Sequence, residues 1–204
     1  MCRLFGNHDA ERGTSHAQGA VLRVVLSRGF VDGSAERHVL VVARDAADAA
    51  GAVLHGRGAS TGLAANVFER GPDGWRFATS GEVGVPDARA QVPRLELLRV
   101  GPARHGLLVG GARQDLATIH AVSEMGIPPL LEDVPLGWTN AGDCQPPRCY
   151  DWKAELSFER GKDPDYDDAV IRLSGSRPDD DERVWPVNET ARWVRRGGRY
   201  APEP

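Results

Sequence analysis

A cysteine directly follows the initiator methionine, and this position could make it a nucleophile. When Met1 is removed, Cys2 carries both a thiol and the free α-amino group of the chain. An α-amino group with a pKa of about 8 can accept the thiol proton, just as it activates the hydroxyl in enzymes with an N-terminal threonine. Cys2 is therefore a candidate nucleophile for an amidohydrolase.

Two short pieces of the chain, 1–6 (MCRLFG) and 55–62 (HGRGASTG), resemble class II glutamine amidotransferases. In that family the arginine of the second piece holds the carboxylate of glutamine, and the resemblance implies this role for Arg57. The family also has an Asn-Gly pair after the next strand, which supplies the oxyanion donors. Thr79, Ser80 and Gly81 stand at that place here, so this part of the pattern is not matched.

Tryptophan supplies the first candidate binding residues. Trp138 and Trp185 are expected in loops that contain proline, where an indole ring can anchor a partner. Trp152 alternates with apolar residues, so we expect it in the core.

Asp165 and Asp167 are the acidic candidates, in a run that begins like a calcium loop. An EF-hand loop also requires Gly at its sixth position and Glu at its twelfth, and Asp168 and Ser174 stand there. The run is explained by a solvated turn, and the alternatives are low-affinity calcium binding and a surface for a basic partner. Because no metal motif and no nucleotide-binding glycine motif is complete, we expect no cofactor and no metal.

The three cysteines do not indicate whether the protein resides in an oxidising or a reducing compartment. Cys144 and Cys149 could close a small disulfide loop in an oxidising compartment, and they would stay reduced in the cytosol. No signal peptide is visible, so we expect a cytoplasmic protein if the chain is complete. A periplasmic or secreted protein is the alternative.

Charge and hydrophobicity limit the kinds of partner. The formal net charge is −4, whereas nucleic-acid binders carry basic patches, so we expect a protein partner and no nucleic acid. No apolar run reaches the roughly 20 residues of a membrane helix, so no membrane span is expected. The oligomeric state stays open.

The elements that must position these residues are mainly hairpins. The chain has 24 glycines and 14 prolines in 204 residues, and both residue types interrupt helices. Turn residues predict three hairpins, at 63–79 around Pro72-Asp73-Gly74, at 150–174 around 159–167, and at 191–201 around Gly197-Gly198. Further short strands are predicted at 37–43 and 106–109, and residues 21–26 favour a strand over a helix.

One helix is predicted over 114–125. Leu116, Ile119, His120 and Ser123 have helical spacing, and Gly126 would end the helix. Residues 45–52 could form a second short helix or a loop, and residues 128–147 read as a loop. The predicted fold class is α+β, with mainly antiparallel hairpins and one or two short helices, in a single domain over 1–204 with a weak boundary near 86–93.

The C-terminal two-thirds resembles a group of uncharacterised bacterial β-rich proteins that are often exported. The resemblance implies a β-rich fold and a Cys144–Cys149 bridge, and it implies no known activity. The matching segments are 63–77, 101–108, 144–152, 166–168, 193–200 and the glycine at 175.

Together these patterns favour a non-catalytic β-rich binding protein of the inhibitor, immunity or envelope-accessory type. Trp138, Trp185, Asp165 and Asp167 would contact its partner. The alternative is an N-terminal-cysteine amidohydrolase or glutamine amidotransferase that uses Cys2 and Arg57, so enzymatic activity stays open.

Overall fold

The computed structural model describes residues 7–9, 14–17, 20–48, 50–53, 61–84, 94–110, 116–140, 142–179 and 181–203. These residues form fifteen strands in three antiparallel sheets, and none of them is helical. The α+β prediction is therefore wrong, because the described chain is all-β. The boundary proposed near 86–93 lies outside these residues.

The first sheet has six strands in chain order: β1 (Asn7–Asp9), β2 (Thr14–Ala17), β3 (Ala20–Asp32), β4 (Ala35–Ala46), β5 (Thr61–Gly71) and β6 (Gly74–Glu82). The second sheet runs β10-β9-β8-β7 and contains β7 (Arg94–Gly101), β8 (Arg104–Gly110), β9 (Leu116–Val122) and β10 (Pro129–Pro135). The third sheet has five strands in chain order: β11 (Gly137–Thr139), β12 (Asp151–Glu159), β13 (Asp168–Pro178), β14 (Val184–Arg196) and β15 (Arg199–Pro202).

Strand β8 shows that the second sheet is the middle layer. Leu107 and Val109 join a core cluster with residues of the first sheet. Leu108, between them, joins a second cluster with residues of the third sheet. Because both faces of β8 are covered, its residues after His105 form an apolar run, Gly106 to Gly110, without polar alternation.

The same double burial explains why the predicted helix at 114–125 is wrong. Residues Leu116–Val122 form β9, which pairs with β8 on one side and β10 on the other. Ile119 packs towards the third sheet and Val122 towards the first. With apolar side chains on both faces the period-two pattern is lost, and the remaining spacing resembles that of a helix. Residues 114 and 115 lie outside the described chain.

One other segment differs from expectation: strands β10 and β11 lie within 128–147, which was expected to be a loop. Segment 45–52 was expected to be a short helix or a loop, and its described residues follow the second alternative. Strand β4 ends at Ala46, and the carboxylate of Asp48 accepts hydrogen bonds from the backbone amides of Ala50 and Ala52, which forms a turn.

The three predicted hairpins are confirmed as the pairs β5–β6, β12–β13 and β14–β15. The turn glycines Gly74, Gly197 and Gly198 have φ angles of 111°, 57° and 91°, which favour glycine. The strands expected at 21–26, 37–43 and 106–109 are also confirmed, within β3, β4 and β8. In the part of the chain that is described, no helix has the length and apolar character needed to cross a membrane.

Candidate functional site

Trp138 lies on β11 and Trp185 on β14, so neither is in a loop as expected, and both lie on one face of the third sheet. Trp138 stands opposite Trp152 in the β11–β12 pair, and the same row continues through Gly175 to Val187 on β14. Trp185 precedes Val187 by two residues, and residues two apart along a strand face the same side. We call Trp138, Trp152, Trp185 and Val187 the indole face.

The two outer tryptophans of the indole face are open to solvent. The exposed fraction is 39% for Trp138 and 56% for Trp185. The indole N–H of Trp185 donates to Oδ2 of Asp179 at 2.8 Å, which fixes the ring. The backbone amide of Arg183, with this indole bond, holds the pKa of Asp179 below its ordinary value. Asp179 therefore stays an anionic acceptor.

The centre of the indole face is buried and closely packed. Trp152 and Val187 are buried, which confirms the core position expected for Trp152. Between them Gly175 has a φ of 111°, and a Cβ there would lie 2.2 Å from the carbonyl oxygen of Asp151. Only glycine fits this position, since a side chain would clash with the neighbouring strand.

A covalently closed loop borders the indole face. Cys144 and Cys149 are joined by a disulfide in the connection between β11 and β12. Within this connection the side chain of Asn140 donates to the carbonyl of Arg148 at 2.9 Å and accepts from the amide of Tyr150 at 2.8 Å. The edge that carries Trp138 is thus held by the disulfide and by side-chain hydrogen bonds.

Asp165 and Asp167 lie at the opposite end of the β12–β13 hairpin, away from the tryptophans. Asp165 Oδ2 is 3.7 Å from Nη2 of Arg104, and Asp167 Oδ1 is 3.7 Å from Nη1 of Arg160. Tyr200 donates its hydroxyl proton to the carbonyl of Asp167 at 2.6 Å. The four predicted binding residues therefore do not form one site. The side chain of Asp165 is exposed, whereas that of Asp167 is largely buried.

A group of charges around the buried pair Arg37 and Asp32 joins the layers, and the sequence did not predict it. Arg37 on β4 contacts Asp32 on β3, and it reaches Glu69 at 3.4 Å and Glu124 at 2.8 Å. Asp32 also lies 3.5 Å from Arg104 of the middle sheet. One sequence pattern could have indicated this group. Along β3 and β4, Asp32 and Arg37 occupy positions that alternate with the same two-residue period as the inward-facing apolar residues.

The candidate catalytic residues, Cys2 and Arg57, lie outside the described residues. Within the described ranges, no group of three or more His, Cys, Asp or Glu side chains is arranged to hold a metal ion. No family model, curated protein or solved structure matches the chain.

Proposed function

We propose that this chain is a non-catalytic binding protein that recognises a protein partner through the indole face. The observation that carries the proposal is the exposure of Trp138 and Trp185 on one face of one sheet. Tryptophan is enriched among the residues that dominate binding energy at protein interfaces, because it buries a large apolar area and offers one N–H donor.

The rigidity of the surroundings supports this role. Trp185 is tied to Asp179, and Trp138 belongs to a strand that leads into the disulfide-closed loop. A surface that is already ordered loses little conformational entropy on association. Arg177 and Glu189, with an N–O distance of 4.0 Å, place charges on the same face, and charge around an apolar centre is typical of a binding surface.

The disulfide supports an oxidising location. Bonds of this kind persist in periplasmic and extracellular proteins and are rare in the cytosol. We therefore propose that the protein binds its partner in the periplasm or outside the cell, with a cytoplasmic location as the alternative. Inhibitor, immunity and envelope-accessory proteins are the functional types that this proposal covers.

A comparative capture experiment tests the proposal. The wild-type protein and the double variant Trp138→Ala/Trp185→Ala are immobilised and exposed to an extract of the cells that produce the chain. Retained proteins are quantified by mass spectrometry. We expect at least one protein to be depleted about tenfold or more in the double variant, as the loss of a binding hot spot predicts.

Trp75→Ala is the matched control, because Trp75 is also 48% exposed but lies on β6 of the first sheet. The control should retain the same protein as the wild type. Equal retention by wild type and double variant, or equal loss in Trp75→Ala, would overturn the assignment of the indole face. Thermal unfolding of all three proteins excludes misfolding as the cause of any loss.

The amidohydrolase alternative stays a prediction that rests on Cys2 and Arg57. Its test is the intact mass of the protein before and after brief treatment with iodoacetamide. Loss of Met1 together with fast alkylation of Cys2 would support it. Retention of Met1 would exclude it, because no free amino group would then adjoin the thiol.

A further inference from the structure

A cavity of about 340 Å³ opens between two hairpin ends, one from the first sheet and one from the middle sheet. The β3–β4 end and the β7–β8 end approach each other here, at a distance from the indole face. Three of its lining residues are apolar, one is glycine and two can donate hydrogen bonds. The lining residues are Val31, Gly33, Arg99, Pro102, Ala103 and His105.

Arg99 provides positive charge at this cavity. Its Nε donates to the carbonyl of Gly101 at 3.1 Å, and its Nη2 donates to the carbonyl of Pro102 at 2.7 Å. Three of the five guanidinium N–H donors remain after these two bonds. No carboxylate of the described chain forms an ion pair with Arg99. The guanidinium is therefore oriented by its own turn and keeps donors for a ligand.

His105 provides the second donor. Its Nδ1 is buried without a hydrogen-bond partner in the described structure, and its ring lies 4.9 Å from that of Phe30. Burial lowers the pKa of His105, the carboxylate of Asp32 opposes this shift, and Arg99 adds a smaller lowering, so the net shift favours the neutral ring. An unpaired buried N–H is rarer than an unpaired acceptor, so the proton belongs on Nε2. Nε2–H is then the polar group that the ring offers to the cavity.

Arg99 is the one charged side chain among the lining residues. The carboxylate of Asp32 is not part of the lining; Arg37 contacts it, and Arg104 lies 3.5 Å from it. Its negative charge still acts on the ring of His105. The remaining walls, Val31, Pro102 and Ala103, present aliphatic carbon.

We infer that this cavity binds a small organic carboxylate. The carboxylate would accept hydrogen bonds from Arg99 and from Nε2 of His105, and its aliphatic part would lie against Val31, Pro102 and Ala103. Arginine matches the planar geometry of a carboxylate with two parallel N–H donors. The volume is within the range of small-molecule sites. This inference is independent of the indole face and of its partner.

Butyrate, its uncharged isostere butyramide and inorganic phosphate are the probes, and NMR titration of the full chain is the readout. We expect butyrate to shift the signals of Arg99 and the His105 ring saturably, with butyramide at least about tenfold weaker, since it lacks the charge-assisted hydrogen bonds. Phosphate that binds in place of butyrate would assign the cavity to an inorganic oxyanion and overturn the carboxylate assignment. The absence of saturable butyrate shifts would overturn it as well.

Variants distinguish specific butyrate binding in the cavity from non-specific attraction of butyrate to positive surface charge. Arg99→Gln should weaken butyrate binding at least about tenfold. Arg28→Gln is the matched control, because Arg28 is exposed and its guanidinium donates to the backbone carbonyl of Ser27. An equal loss in both variants would refute the site. Ala103→Trp fills the cavity without removing a charge, so it tests the proposal even if Arg99→Gln fails to fold: it should abolish binding, and unchanged binding would refute the site.

Discussion

The guanidinium of Arg37 contacts the carboxylate of Asp32 in the interior, where the two side chains keep only 7% and 2% of their exposure. The same guanidinium reaches Glu69 on β5 and Glu124 in the turn between β9 and β10. Through Glu124, and through Arg104 beside Asp32, this pair connects the first sheet to the middle sheet. The charges are thus part of the contact between layers.

Replacing Arg37 should strongly destabilise the protein. Arg37→Met leaves the buried carboxylate of Asp32 without its main partner, and removing one member of a buried ion pair costs about 3–5 kcal/mol. Urea unfolding measures the loss. Arg70→Met is the control, since the Arg70–Glu36 pair is 58% and 53% exposed and should contribute about 1 kcal/mol or less. Equal losses in the two variants would contradict the structural role of Arg37.

The free energy of unfolding should decrease as the pH falls from about 7.5 to about 5. Burial lowers the pKa of both His105 and His120 below the usual 6.5. The unfolded chain therefore binds protons at a higher pH than the folded chain does, and protonation favours unfolding. Urea unfolding at a series of pH values measures the slope, and His120→Asn should reduce it. A slope that His120→Asn leaves unchanged would show that His120 does not contribute.

The disulfide should stabilise the fold modestly. It closes a short loop, with a sequence separation of 5, and the loop-entropy relation gives about 2 kcal/mol for such a loop. Replacing both Cys144 and Cys149 by serine should lower the free energy of unfolding by this amount. Cys2→Ser is the control and should retain the bond, seen as an intact mass lower by a pair of hydrogen atoms. A full reduced mass in non-reducing buffer would contradict the bridge.

The tryptophans of the indole face should separate into structural and binding residues. Trp152→Ala removes a ring that is 7% exposed and should cost about 3–5 kcal/mol. Trp185→Ala removes a ring that is 56% exposed, with one hydrogen bond to Asp179, and should cost about 1 kcal/mol or less. Thermal and urea unfolding compare the variants. Similar losses for Trp152 and Trp185 would mean that Trp185 is a structural residue and not a free anchor.

The hairpins could be predicted from the sequence because adjacent residues determine the conformation of their turns. Pro72 and Asp73 with Gly74 define one turn, and Gly197 with Gly198 defines another, so the hairpins around them followed from neighbouring residues. The burial of Trp152 followed in the same way from the alternation along β12. Strand β9 could not be predicted in this way, since its apolar pattern depends on sheets that cover both of its faces.

The candidate sites depend almost entirely on tertiary structure. The sequence marked Trp138 and Trp185 as anchors and Asp165 and Asp167 as binding residues, but only strand register shows that the first two share a face and the last two lie at the other end. Arg37 and Glu69 are far apart in the chain and meet because β4 pairs with β5, whereas Glu124 reaches Arg37 only because the sheets stack.

The 204 residues by themselves therefore determined where three hairpins turn, that the strands flanking those turns extend, and that Cys144 and Cys149 could pair. The tertiary structure decided which faces are covered, which charges become buried and where two hairpin ends border an open cavity. The physical reason is the sequence distance over which the interactions act. A few neighbouring residues set the conformation of a turn, whereas burial and long-range ion pairing depend on strands and sheets that meet only in the folded chain.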